Sequence, residues 1–176
     1  MGEQNTVPIR INKEEGAAGQ VKLSSGPGVL ETWGSPADVA LNNAPGTNDT
    51  GSGLITIDTV GEIVTAGQVL YLKADGKYWK ALATGIATMP GKVLAMAGIA
   101  ADAAGNLLHL GYFRHDAWDF TVGNGTANLL YVDRATGGLV TQTPPATAGD
   151  QVQVIGYCVT ADIIFFTPCL ELVEIA

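Results

Sequence analysis

The sequence predicts an all-β protein: a barrel or sandwich built from two similar β-units and preceded by an extended N-terminal arm. Three observations carry this. From Leu54 onward, short runs rich in Val, Ile, Leu, Tyr and Thr alternate with glycine-containing turns, as in all-β domains. A run of residues in the first half of that region is echoed in the second. Residues 16–34 are a glycine-, serine- and proline-rich tract with a few spaced apolar residues, too poor in apolar surface to fold alone.

Taken in order, residues 1–53 form the arm. Val7–Ile11 reads as a short extended piece in which Pro8 permits only an edge or isolated strand. Val21, Leu23, Leu30 and Trp33 stand out in the tract that follows. Trp33 is the only aromatic residue before Leu54, and an indole left in water wastes its apolar area. These four are the candidate contacts with another chain; the alternative is that Trp33 folds back on its own domain. Ser35 and Pro36 could open one helical turn. Asn42–Gly53 is almost pure turn former and reads as a linker.

Residues 54–176 form the β-domain, with strands expected at 54–60, 68–73, 78–83, 92–100, 106–113, 118–122, 128–133, 138–142, 151–160 and 163–167. Asp75-Gly76 and Gly137-Gly138 are placed as tight hairpin turns. Thr65–Tyr71 is echoed by Thr126–Tyr131, and Val93–Ile99, crossing Gly98, by Val152–Tyr157, crossing Gly156. Leu107–Leu110 is matched by Ile163–Phe166. The repeat therefore covers about 65–111 and 126–168, and such a unit buries its apolar face best against a copy of itself. Ala95–Ala104 has helix propensity, but Gly91, Gly98 and Gly105 argue against a helix there.

Charge and composition narrow the function. Nine basic residues face 17 acidic ones, a net charge of −8, and a chain so acidic is repelled by phosphate backbones. Nucleic acid is therefore not an expected partner. No apolar run reaches the length of a membrane span, and MGEQNTVPIR lacks the apolar core of a secretory signal. Cys158 and Cys169 read as buried small apolar side chains, with a bridge between them left open.

No catalytic constellation emerges. His115, Asp116 and Asp119 could ligate a metal or exchange protons, but adjacent strand residues point to opposite faces, and a solvated loop accounts for them better. Asn48–Gly53 lacks the carboxylates of a calcium loop, and Gly123–Thr126 lacks the lysine and helix of a phosphate loop. His109, between Leu108 and Leu110, is expected on the face opposite to them. No enzyme activity, metal or cofactor is expected. Sugar binding is the stronger rival. Tyr78 and Trp79 are adjacent, so one faces outward, and Trp79 flanked by Lys77 and Lys80 could form a ligand platform.

The stretch G-x-x-G-Q-V-x-x-S-x-G-P-G-x-x-x-x-W, Gly16 to Trp33, resembles a segment of bacteriophage fibre and appendage proteins. Leu130-Tyr131, Ile155-Gly156-Tyr157 and Phe165-Phe166-Thr167-Pro168 resemble a pattern in phage virion decoration and head-fibre proteins. The chain departs from long fibres in having no repetitive shaft. The resemblance implies a non-enzymatic structural protein on the virion capsid surface. It would be a homotrimer whose N-terminal arm docks on the major capsid protein. The alternative is a carbohydrate-binding receptor-recognition module of a phage tail fibre or spike, with a host-surface glycan as partner.

Overall fold

The computed structural model describes residues 21–23, 32–34 and 41–176, divided into two compact units, Met1–Ala40 and Leu41–Ala176. The chain is all-β, as expected. In the first unit, β1 (Val21–Leu23) pairs antiparallel with β2 (Thr32–Gly34), placing Lys22 opposite Trp33. The readings at Val7–Ile11, Leu30 and Ser35–Ala40 lie outside the described residues.

The second unit carries β3 (Thr50–Thr59), β4 (Val69–Leu72), β5 (Tyr78–Lys80), β6 (Val93–Ala95), β7 (Ala104–Arg114), β8 (Leu129–Val132) and β9 (Val140–Thr141). After these come β10 (Gln151–Val152), β11 (Val154–Cys158), β12 (Ile163–Phe166) and β13 (Val173–Glu174). Nine of these strands form one antiparallel sheet in the order β5-β4-β6-β7-β12-β11-β8-β9, with β3 on the other edge of β7. A small second sheet pairs β10 with β13. The large sheet curls into a half-barrel. Its ends approach closely enough for Gly138 N–H to donate to the Ala81 carbonyl at 2.7 Å, and Ala83 N–H to that of Asp133 at 3.1 Å.

One strand order occurs twice: β5-β4-β6-β7, then β9-β8-β11-β12, with β7 and β12 antiparallel where they meet. Tyr71 and Tyr131 sit at the third positions of β4 and β8, each 9% exposed. The glycines of the two runs do not correspond, however. Gly156 lies inside β11, whereas β6 ends at Ala95, short of Gly98.

β7 organises the sheet. Along one edge it pairs with all ten residues of β3; along the other it pairs first with β6, through Leu107 and Leu108, and then with β12, through Gly111–Arg114. Leu107 and Leu108 are both fully buried but belong to different apolar clusters, so both faces of the sheet are covered here. The larger cluster gathers Val69, Leu94, Leu108, Phe113, Leu130, Ile155, Ile164 and Phe166. The smaller holds Val60, Val64, Leu70, Val93, Ile99 and Leu107.

Several expected boundaries shift: the strand expected at 92–100 ends at Ala95, that at 78–83 ends at Lys80, that at 138–142 shrinks to Val140–Thr141, and that at 151–160 divides into β10 and β11. β3 starts at Thr50, inside the presumed linker, because Gly51 and Gly53 allow close approach to β7. A Cβ at Gly53 would stand on the Leu110 carbonyl oxygen. Residues 118–122 form no strand. Single backbone bonds, His115 to Asp162 and Phe120 to Ala161, hold the loop instead, while Trp118 packs edge-on against Phe113 with centroids 5.9 Å apart. The aromatic content that suggested a strand serves to pin a loop. Both cysteines are free thiols, and Cys169 is exposed rather than buried.

Candidate binding site

Tyr78 and Trp79 leave β5 toward opposite faces. Trp79 lies opposite Tyr71 in the ladder and packs on the larger cluster. Its ring is already occupied: the Lys73 ammonium stands 4.1 Å from the centroid, Gly61 abuts the indole, and Nε1 donates to Asp75 Oδ2 at 3.1 Å. The flanking lysines point to other partners. Lys77 pairs with Asp102 at 2.6 Å, and Lys80 with Glu62 at 3.8 Å. A sugar stacking on Trp79 would have to displace these contacts.

Tyr78 packs instead against the smaller cluster and reaches a cavity of about 300 Å³. The cavity opens where the two strands sharing one edge of β7 diverge. β6 pairs no further than Leu108 and β12 begins at Gly111, so His109 and Leu110 have no strand partner on that side. These two residues, Tyr78, Lys92 and the segment Thr167, Pro168 and Leu170 line it. His109 and Leu110 share the lining, contrary to simple alternation, because the β3–β7 register slips between Leu54 and Ile55 and Gly111 bends the strand at φ 144°.

Two polar side chains at this cavity, His109 and Gln153, are held by neighbours. Thr56 Oγ donates to Asp58 Oδ2 at 2.5 Å and accepts from His109 Nε2 at 2.8 Å, which places the ring hydrogen on Nε2 and leaves Nδ1 uncommitted. Burial, and then the Asp58 carboxylate, raise the Tyr78 phenol above its ordinary pKa, so it stays protonated at neutral pH. Gln153, 1% exposed, clamps two walls. Its Oε1 accepts from Gly91 N–H at 2.8 Å, and its Nε2 donates to the Gly91 and Cys169 carbonyls at 2.8 and 2.6 Å. Gly91 adjoins Lys92, and Cys169 sits between Pro168 and Leu170, so one buried amide sets both sides of the cavity.

The other sequence candidates are scattered. His115 Nδ1 lies 2.6 Å from Asp49 Oδ1, and its ring meets Trp118 edge-on at 5.2 Å. Arg114 takes Asp116 at 2.6 Å and Asp162 at 3.1 Å. Among the described residues no three His, Cys, Asp or Glu side chains converge on a metal position. Val21, Leu23 and Trp33 belong to the separate small ribbon, and Leu30 lies outside the described residues.

A second surface was not visible in the sequence. β3 pairs with β7 alone, so its outer edge carries no ladder among the described residues. It is ten residues long, bears one charge (Asp58) and exposes Leu54 and Ile57 at 63% and 73%. Edge strands of this length usually carry lysine, proline or a bulge that blocks further pairing. This one has a single register slip. No protein-family model, curated protein or solved structure matches the chain.

Proposed function

We propose that this chain is a non-enzymatic virion structural protein of a bacteriophage, a capsid decoration or head-fibre protein. Its N-terminal arm docks on the major capsid protein, and its β-domain associates with copies of itself into a homotrimer. The carrying observation is the outer edge of β3, which pairs with no strand among the described residues and exposes Leu54 and Ile57, a surface of the kind that assembly completes. The virion assignment rests on the resemblance of Gly16–Trp33 and of the Leu130–Pro168 pattern to phage proteins. The repeated strand order supports two similar β-units packed into one domain.

A specific contact at this edge sets a requirement on area. About 800 Å² per partner suffices, with a few buried apolar anchors dominating the affinity. Val21, Leu23, Leu30 and Trp33 are the proposed anchors of the arm on the capsid. The test is to delete residues 1–34 and measure pelleting with capsids that lack the protein. Loss of capsid binding with mass in solution unchanged supports the division of labour; retained binding contradicts the docking role.

A second reading, a carbohydrate-binding receptor-recognition module, is favoured by the cavity beside Tyr78. It moves the ligand platform from Trp79 to Tyr78.

A further inference from the structure

We propose that the cavity at the divergence of β6 and β12 binds a single acidic monosaccharide unit, such as a uronic acid, with its carboxylate on Lys92. This deepens the carbohydrate reading and is independent of the assembly reading.

The charge pattern carries the choice of an acid. In the unit Leu41–Ala176 every other cation is engaged. Lys77, Lys80, Arg114 and Arg134 pair with carboxylates, and Lys73 lies over Trp79. Lys92 alone has neither a carboxylate nor an aromatic partner among the described residues, and it lines the cavity. In a chain of net charge −8, a lysine that lines a cavity and has no carboxylate partner among the described residues is the position at which an anion gains most. The Asp58 carboxylate, which accepts from Thr56 Oγ, keeps its negative charge near Tyr78, so the acid's carboxylate is placed at Lys92 rather than on the Tyr78 side of the cavity.

The remaining groups suit a sugar ring rather than a simple carboxylate. The Tyr78 and Thr167 hydroxyls form no hydrogen bonds among the described residues, and His109 Nδ1 is an open acceptor, so the wall can both donate to and accept from ring hydroxyls. Leu110, Pro168 and the Tyr78 ring offer an apolar wall for the C–H face of a pyranose. A volume of about 300 Å³ is at the lower end for ligand sites and admits one ring, not an oligosaccharide. Gln153 holds the Lys92 and Pro168 walls together through buried hydrogen bonds, so the site is preformed.

The test is a titration of the ¹⁵N-labelled full-length chain with glucuronate, glucose and acetate, followed by amide chemical shifts. Glucuronate is expected to produce saturable shifts at Tyr78, Lys92, His109 and Thr167 with a Kd on the order of 1 mM. Lys92→Gln should weaken this at least tenfold and Thr167→Val several-fold, each with an otherwise unchanged spectrum that reports an intact fold. Equal binding of glucose would keep the carbohydrate reading and overturn the acidic class. Equal binding of acetate would overturn the saccharide, and no saturable shift with any probe would overturn both. Lys92→Gln binding glucuronate as tightly as the parent overturns the assignment of the carboxylate to Lys92.

Discussion

Gly111 and Gly156 show how single residues shape the sheet. Both have φ near +145°, outside the range of L side chains, and a Cβ on either would overlap a carbonyl oxygen of the neighbouring strand: Ser52 for Gly111, Phe165 for Gly156. Strain of this kind costs about 1–3 kcal/mol per residue before the steric clash is counted. Gly111→Ala is therefore expected to lose at least about 2 kcal/mol in denaturant unfolding. Gly76→Ala, with φ +80° but open space around it, should lose about 1 kcal/mol. Equal losses would contradict the close approach of β3 and β7. Gln153 is the polar counterpart. Gln153→Leu keeps the volume but strands the buried Gly91 N–H and carbonyl without partners and removes the bond to the Cys169 carbonyl, and should cost roughly 3 kcal/mol. It should also broaden the amide signals of Lys92 and Cys169. Asp150 gives the fold a pH response. The Arg134 guanidinium at 2.7 Å, aided by the Thr147 N–H, holds this buried carboxyl below its ordinary value despite its burial. A carboxyl depressed in the folded state contributes stability at pH values above its unfolded value, near 4, and that contribution is lost as pH falls through the folded value. Stability measured from about pH 6 to pH 2 should fall along this course in the parent, and Asp150→Asn should flatten it.

At the scale of elements, β7 and β3 set what can be built on the molecule. β7 is shared between β6 and β12, and the gap between those partners becomes the cavity. Its far edge is given to β3, whose own outer edge pairs with no strand among the described residues. Ile57→Lys adds to β3 the charge that natural edges use against further pairing. The substitution is expected to leave the unfolding midpoint nearly unchanged, since Ile57 is 73% exposed, while weakening self-association at least tenfold in sedimentation velocity. Unchanged association would remove β3 from the interface. How far these elements were legible follows from their chemistry. The strands around Leu70, Leu107 and Ile164 could be read because apolar β-formers alternate with turn glycines. The start of β3 was hidden because Thr50–Gly53 is locally turn-forming and becomes a strand only by pairing with Gly111–Arg114. The loop at 118–122 was misread for the opposite reason: Trp118 and Phe120 favour strands, but here they anchor irregular backbone through side-chain packing. The cavity could not be read at all. Tyr78, Lys92, His109 and Thr167 come from four separate segments, and only the strand order brings them together.

At the scale of the molecule, the repeated order β5-β4-β6-β7 and β9-β8-β11-β12 places two halves about the β7–β12 pair. The largest fully buried side chains, Phe113 and Phe166, come one from each of those two strands. Truncating either to alanine should cost about 3–5 kcal/mol and unfold both halves in one transition, because they share one core cluster. Beyond the single chain, symmetry makes the assembly proposal specific. A β3 edge pairing with its own copy closes a twofold dimer, whereas a trimer requires β3 to meet a different surface on the next copy. The two are separated by mass. Sedimentation equilibrium of the full-length chain, of 18.2 kDa, therefore tests the central claim most directly. The assembly account predicts the mass of three chains, falling toward one in Ile57→Lys; a monomer at all concentrations, identical in parent and variant, would contradict it.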